Sequence, residues 1–185
     1  NIMMGQDSTP IVLRRNCKAV VIPAGFEIEL NKNELVYITQ AMGGSFTVYF
    51  EGSLFRIAGK DADALGLEPE PAPKLPENAT KEDFEKLIWD QIRTCYDPEI
   101  PINVVDLGLI YGIEVDDTDP QALKLTVHMT LTAAGCGMGE VLVEDVHDKV
   151  SIIPTVADVQ VDLIFDPPWS QEMMSEAAKL EAGLL

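Results

Sequence analysis

Up to residue 57 the chain runs in short apolar bursts separated by turn residues. Strand candidates fall at 11–13, 19–22, 27–30, 35–39, 46–51 and 54–57. They are bounded by Pro23-Ala-Gly25, Asn31-Lys-Asn33, Gly43-Gly44 and Glu51-Gly52-Ser53, the residue types that end strands and make tight turns. Gly52 can supply the positive φ that a tight hairpin between Tyr49 and Leu54 needs. Several strands at such short spacing predict a small antiparallel, barrel-like β domain. Residues 61–65 then read as a closing helical turn stopped by Gly66.

A break follows. Pro69, Pro71, Pro73 and Pro76 fall within 67–76; each removes a backbone donor and fixes φ, so neither a helix nor a central strand survives there. An extended spacer over 68–79 between a domain at 1–67 and one at 80–185 is the expectation.

Beyond it the pattern changes period. Thr80 and Asp83 form a variant capping box, and Phe84, Leu87, Ile88 and Ile92 make one apolar stripe of a helix running to about Thr94. Asp97-Pro-Glu-Ile-Pro101 must break it. Residues 104–115 read as a strand, with Gly108 marking a kink or a close backbone approach. A turn at 116–120 leads to a hairpin partner at 124–131. Leu142, Val146, Val150 and Ile153 recur at helical spacing in a helix from 138 or 139 to 153. A strand at 156–165 alternates Val159, Val161, Leu163 and Phe165, and Ser170 can cap a last helix to about Leu180. The order α-β-β-α-β-α predicts a two-layer α+β domain with helices on one sheet face.

Charge sharpens that division. The 185 residues carry a net charge of −18. Residues 1–67 hold 6 basic against 7 acidic side chains and 68–79 hold 1 against 3, whereas 80–185 hold 6 against 21. So acidic a surface repels phosphate backbones, which excludes nucleic acid as a partner. A hydrophobic fraction of 46% excludes a disordered chain. No apolar run reaches the roughly 20 residues that cross a bilayer, and no basic-then-apolar leader is seen, so no membrane role is expected. Three cysteines without export signals fit the reducing cytoplasm better than a disulfide framework.

Cys136 is the focus for chemistry. It lies between Gly135 and Gly137 just before a predicted helix, where unsatisfied N–H groups and the helix dipole favour a thiolate. A small apolar residue in a glycine turn is the competing reading. Asp97 and Glu99 flank the helix-stopping Pro98, where their carboxylates can serve a metal, a base or simple turn capping. Cys95 can add a second thiolate or pack at the helix end. His128 reads as a satisfied sheet residue or a ligand, and His147 as part of a solvated helix face. Cys17 follows Arg14, Arg15 and Asn16, neighbours that could activate it, although a fold role suits it too. Met173 and Met174 suit core contacts or an adaptable surface, and Trp169 an anchor at the sheet end or a partner contact. Neither a C-x-x-C pair, a P-loop nor G-x-S-x-G is present. One cysteine cannot saturate an iron-sulfur cluster, which wants four ligands. Metal at Cys136 would draw the rest from Asp97, Glu99, Cys95, a client or a second subunit, so a homodimer is among the assemblies to expect.

Three segments taken in order carry a family resemblance: 97–111 (Asp97-Pro-Glu-Ile-Pro-Ile-Asn-Val-Val-Asp-Leu-Gly-Leu-Ile-Tyr111), Met129-Thr-Leu-Thr132 with Gly135-Cys-Gly-Met-Gly139, and Phe165-Asp-Pro-Pro-Trp-Ser170 with Met174-Ser-Glu-Ala-Ala178. The chain resembles the SufT-type iron-sulfur assembly proteins, of a broader family that takes in the phenylacetate-oxygenase accessory subunit PaaD and cytosolic iron-sulfur targeting factors. The likeness covers essentially 80–185, and the first half looks like the extension found in SufT. It implies an accessory factor, without turnover chemistry of its own, that assembles iron-sulfur clusters or delivers them to apo-proteins. Cys136 would then hold iron or a cluster transiently, with Asp97, Glu99 and Thr132 lining the same pocket. Partners would be the assembly machinery and apo-protein clients. Ala134 and Gly137 stand near the cysteine where many relatives carry prolines, which implies a looser loop. Two rival readings are a thiol-dependent enzyme with Cys136 as nucleophile and Asp97 or Glu99 as base, and a metal-free protein–protein adaptor.

Overall fold

A computed structural model describes residues 8–98, 100–133 and 137–185. The chain divides into two compact units, Asn1–Pro71 and Ala72–Leu185. Residues 68–79 carry no regular secondary structure and are mostly exposed. No helix among the described residues is long and apolar enough to cross a membrane.

In the first unit, β1 (Thr9–Val12), β2 (Cys17–Ile22), β3 (Glu27–Leu30), β4 (Leu35–Met42), β5 (Ser45–Phe50) and β6 (Ser53–Ile57) form one antiparallel sheet in the order β1-β4-β5-β6-β2-β3. The order ends on β1 and β3, so backbone pairing does not close it into a ring among the described residues. Two-residue turns set the register. Gly43 and Gly44 join β4 to β5, and Glu51 and Gly52 join β5 to β6, all four at positive φ. That is the signature of the turn whose twist matches flanking strands. Gly52 was the expected bearer of the strained angle, but Glu51 shares it at φ 47°. A glutamate pays a steric cost there that asparagine largely avoids. Glu51→Asn is therefore expected to stabilise the unit by about 1 kcal/mol, read as a higher denaturant midpoint with unchanged slope.

The core of this unit gathers Leu13, Cys17, Ala19, Leu30, Val36, Phe46, Val48, Phe55 and Ile57 with Ala62, Ala64 and Leu65. The last three come from a 3-10 turn, Gly59–Leu65, which Gly66 ends in the left-handed conformation.

In the second unit, α1 (Lys81–Ile92) starts on the capping box. Thr80 Oγ1 accepts from Asp83 N–H at 3.1 Å and Asp83 Oδ2 accepts from Thr80 N–H at 2.9 Å. Its buried stripe is Phe84, Ile88 and Ile92. β7 (Ile110–Asp116) and β8 (Leu123–Met129) pair as an antiparallel hairpin, and α2 (Gly139–Ser151) carries the chain over to β9 (Val156–Leu163), parallel to β8. A parallel neighbour requires such a crossover. Leu123, Leu125, Val127 and Met129 are buried on one face of β8, against a core that includes Ile88, Ile92, Leu142, Val146 and Val150. Lys124, Thr126 and His128 lie on the other face, exposed or half-buried.

Three sequence expectations are corrected. The strand placed at 104–115 begins only at Ile110. Residues 103–108 form a turn that buries Val104 and Leu107, in which Asn103 Oδ1 accepts from Asp106 N–H at 2.9 Å and Gly108 takes φ +80°. The apolar residues there read as strand because Val104 and Leu107 are buried although the backbone turns. The last helix is capped by Ser175, not Ser170: α3 (Glu176–Glu181) starts where Ser175 Oγ accepts from Ala178 N–H at 3.1 Å. Ser170 instead leads a three-residue 3-10 turn, and Met174 in extended conformation separates the two. Finally, the strand at 156–165 stops at Leu163, and Leu163 and Phe165 are exposed despite the alternation.

Candidate functional site

The site begins where α1 ends. Cys95 closes the helix, its N–H donating to Ile92 O at 3.0 Å, and its side chain is fully buried in the core of the second unit. The chain then doubles back. Tyr96 bridges Asn103, Asp97 N–H donates to Ile102 O at 3.2 Å, and Val104 N–H donates to Cys95 O at 2.9 Å. Asp97 Oδ1 accepts from Ile100 N–H at 3.1 Å, so the carboxylate folds over its own loop rather than pointing to solvent. The side chain is almost wholly buried. Burying a carboxylate is expensive unless donors surround it, and the loop backbone supplies one.

The same backbone leads to the second loop. Leu109 N–H donates to Val104 O at 3.0 Å, and Thr130 N–H donates to Leu109 O at 2.8 Å. Three consecutive bonds thus run Cys95–Val104–Leu109–Thr130, which ties the D-P-E loop to the end of β8. Among the described residues, Asp97 and Thr130 are the two buried polar side chains. Thr130 ends the tie, and Asp97 lies two residues beyond its other end at Cys95. Among the described residues Thr130 Oγ1 has no hydrogen-bond partner, although the residue is completely buried. An orphaned buried hydroxyl costs about 1–3 kcal/mol and calls for an explanation.

After Thr130 the chain is pinned at both sides of the cysteine loop. Leu131 and Met138 are buried, and Thr132 is half-buried. Gly139 opens α2 with the Leu131 side chain so close that a Cβ would come within 2.5 Å of its Cδ1. Met138 offers no side-chain cap to the helix, so the first-turn N–H groups of α2 draw none from the N-cap position. Cys136 and Glu99, two of the three metal ligands expected from sequence, lie outside the described residues. Among those described, no group of three or more His, Cys, Asp and Glu side chains could hold a metal ion.

The remaining candidates lie elsewhere. His128 stands on the helix-free face of the sheet, with Nε2 3.0 Å from Glu114 Oε2 and Nδ1 3.8 Å from Asp162 Oδ2. His147 lies 3.2 Å from Asp148 on the exposed side of α2. Trp169 does anchor the sheet end: its Nε1–H donates to Leu107 O at 2.7 Å. Met174 joins the core. Thr130 was not singled out from sequence. It falls on the polar phase of β8, and only the end of the strand at Met129 turns it inward.

Cys17 is not activated by its basic neighbours. Arg15 is committed to Asp61 at 3.0 Å and Asp63 at 2.7 Å. Burial first, then the Asp61 charge, push the Cys17 thiol up to about 11 against an ordinary 9.0. The folded chain keeps this proton in a pH window where the unfolded chain has lost it. Stability therefore falls as pH rises from about 9 through 11, by on the order of 2–3 kcal/mol. Comparing the pH slope of the denaturant midpoint in wild type and Cys17→Ala measures this, and a slope unchanged by the substitution refutes it.

Comparison with known proteins places these loops in context. The family described as "Iron-sulfur cluster assembly protein" matches residues 85–163. An Fe-S protein maturation auxiliary factor of Porphyromonas gingivalis is 46% identical over 106 residues, 57% of this chain and 93% of the relative. The Fe-S protein maturation auxiliary factor SufT of Staphylococcus aureus is 41% identical over 88 residues, 48% of this chain and 96% of its own. Among solved structures, a domain of unknown function, DUF59, from Bacillus anthracis aligns with a TM-score of 0.50 at 33% identity, over 56% of this chain and 95% of that one.

Proposed function

This chain belongs to the iron-sulfur cluster assembly protein family, and we propose that it serves the maturation of iron-sulfur proteins as an accessory factor whose cargo is iron or a cluster. The cargo is bound briefly and handed on. Cys136 supplies the soft thiolate ligand, Asp97 and Glu99 add oxygen ligands or polarise the site, and Thr132 and Cys95 complete the surroundings of the pocket. A single thiolate with hard carboxylates is a poor permanent home for iron-sulfur chemistry, which prefers four sulfur ligands. A partial site of this kind favours transfer over storage, and a reducing compartment such as the cytoplasm keeps its thiolate available.

One observation carries this reading: of the two buried polar side chains of the described residues, Thr130 ends a backbone tie that starts at Cys95, two residues before Asp97. A fold with no use for polarity there would bury apolar groups instead, because an orphan hydroxyl and a desolvated carboxylate both cost stability. Thr130 is then a donor held ready for an incoming anionic or sulfur ligand. The acidity of 80–185 selects assembly partners and apo-protein clients that present basic surfaces. The 68–79 segment serves as the spacer between the β unit and this unit.

Anaerobic incubation with iron and sulfide, followed by absorption and Mössbauer spectra and by transfer to an apo-protein client, tests the proposal. Wild type is expected to take up iron and speed client activation. Cys136→Ser should lose both while keeping its circular dichroism and melting temperature. Full client activation by Cys136→Ser would overturn the reading and favour a metal-free adaptor.

A further inference from the structure

The free edge of the second sheet goes beyond this cargo chemistry. β9 is the last strand in the order β7-β8-β9. Ile164 N–H donates back to Met129 O at 2.8 Å. In a parallel ladder alternate residues bond the same neighbour. Asp158, Gln160 and Asp162 therefore turn their backbone groups toward β8, and Val159, Val161 and Leu163 turn theirs outward. Beside that edge, α2 and β9 enclose an open groove of about 460 Å³, with Val143, Val161 and Leu163 in its wall and Glu140, Glu144 and His147 at its rim. Leu163, at the open end, is 42% exposed.

Exposed strand edges are commonly blunted by charged side chains, lysine above all, by proline or by a bulge. From Val159 to Leu163 the strand carries no proline and no lysine, and its one register shift, at Leu123/Lys124, lies at the other end. It carries instead acidic residues at Asp158 and Asp162, on the face opposite the groove. Antiparallel pairing of two β9 edges about Gln160 sets Asp158 of one copy opposite Asp162 of the other, and like charges directly opposed are destabilising, so that register disfavours a second copy.

We propose that β9 accepts an added strand from a partner protein: an extended segment whose residues alternate between basic and apolar. Its backbone pairs with the outward groups of Val159, Val161 and Leu163. Its apolar side chains enter the α2–β9 groove, and its basic side chains meet Asp158 and Asp162 on the other face. Main-chain bonds supply affinity in this mode, and alternate side chains supply selectivity. The docking surface is the outer edge of β9 with the groove beside it, whereas the cargo residues proposed above come from the D-P-E and cysteine loops.

The test uses the full chain and a fluorescent ten-residue peptide alternating lysine and valine. Saturable binding that weakens with salt is expected, and a peptide of the same composition with its lysines and valines in blocks should bind about tenfold more weakly or worse. Joint Asp158→Lys and Asp162→Lys substitution should lower affinity by a similar factor. Leu163→Pro removes an outward N–H without touching the β8 ladder, a placement that edge strands tolerate, and it should abolish binding. If that variant is poorly folded, amide exchange on wild type decides: the Val161 and Leu163 amides must gain protection when peptide is added. Equal binding of the block peptide, no added protection at these amides, or dimerisation of the chain through β9 would each overturn the proposal. None of these readouts involves iron, so they stand or fall apart from the cargo assignment.

Discussion

Gly108→Ala is expected to cost the second unit about 2–5 kcal/mol. Two separate penalties combine there. The residue sits at φ +80°, where a side chain costs about 1–2 kcal/mol. A Cβ would also be driven into the carbonyl oxygen of Met173, whose backbone crosses directly over the glycine, and forced overpacking adds about 1–3 kcal/mol. Backbone cannot step aside as a flexible side-chain tip can. The strands nearby depend on the same crossing: Ser175 N–H donates to Asp106 O at 2.8 Å, Trp169 holds Leu107 O, and Tyr111 Oη donates to Pro167 O at 2.8 Å. The loss should appear as a lower denaturant midpoint and, in the circular dichroism, as early melting of signal from residues 80–185. A midpoint within error of wild type would show that the 171–173 turn does not press on this glycine in solution.

The second large effect is functional. Asp97→Asn keeps an oxygen able to accept from Ile100 N–H, so the loop should hold its shape and the stability should change by less than about 1 kcal/mol. The charge is gone, and client activation is expected to drop about tenfold or more, the usual scale for removing a group that tunes a metal ligand. Asp97→Ala goes further. It strips the acceptor from a buried loop and should destabilise by about 1–3 kcal/mol as well. The pair separates two roles. If Asp97→Asn activates clients as well as wild type and only Asp97→Ala fails, the carboxylate is a loop clasp and not a participant in cargo handling.

These expectations rest on features with different origins. Local chemistry was legible in the sequence wherever neighbours along the chain decide the outcome. The Thr80–Asp83 box, the 84–88–92 stripe, the glycine turns at 43–44 and 52 and the stop at Gly66 all use contacts within a few residues. The strand candidates of the first unit match the sheet for the same reason: each is bounded by residues that cannot continue it. The alternation at 156–165 misled, because periodicity reports which face a side chain takes and not whether anything lies against that face. Leu163 and Phe165 have the right phase, yet both stay exposed.

The candidate site divides along the same line. Asp97 and its helix-stopping proline stand out in the sequence, as does the glycine-flanked Cys136. That Asp97 is buried, that Thr130 is its counterpart, and that one backbone tie joins their loops were decided only when segments far apart in sequence met. The same holds for Cys17, whose basic neighbours suggested reactivity until Asp61 and Asp63 claimed Arg15. By itself the sequence determined the local caps, stripes and turns, the two-part charge distribution and the residues able to do chemistry, since these depend on composition and short-range geometry. Tertiary structure decided which of those residues are desolvated, which are paired and which strand edge stays open, because desolvation and hydrogen-bond accounting are properties of neighbours that the chain brings together only by folding.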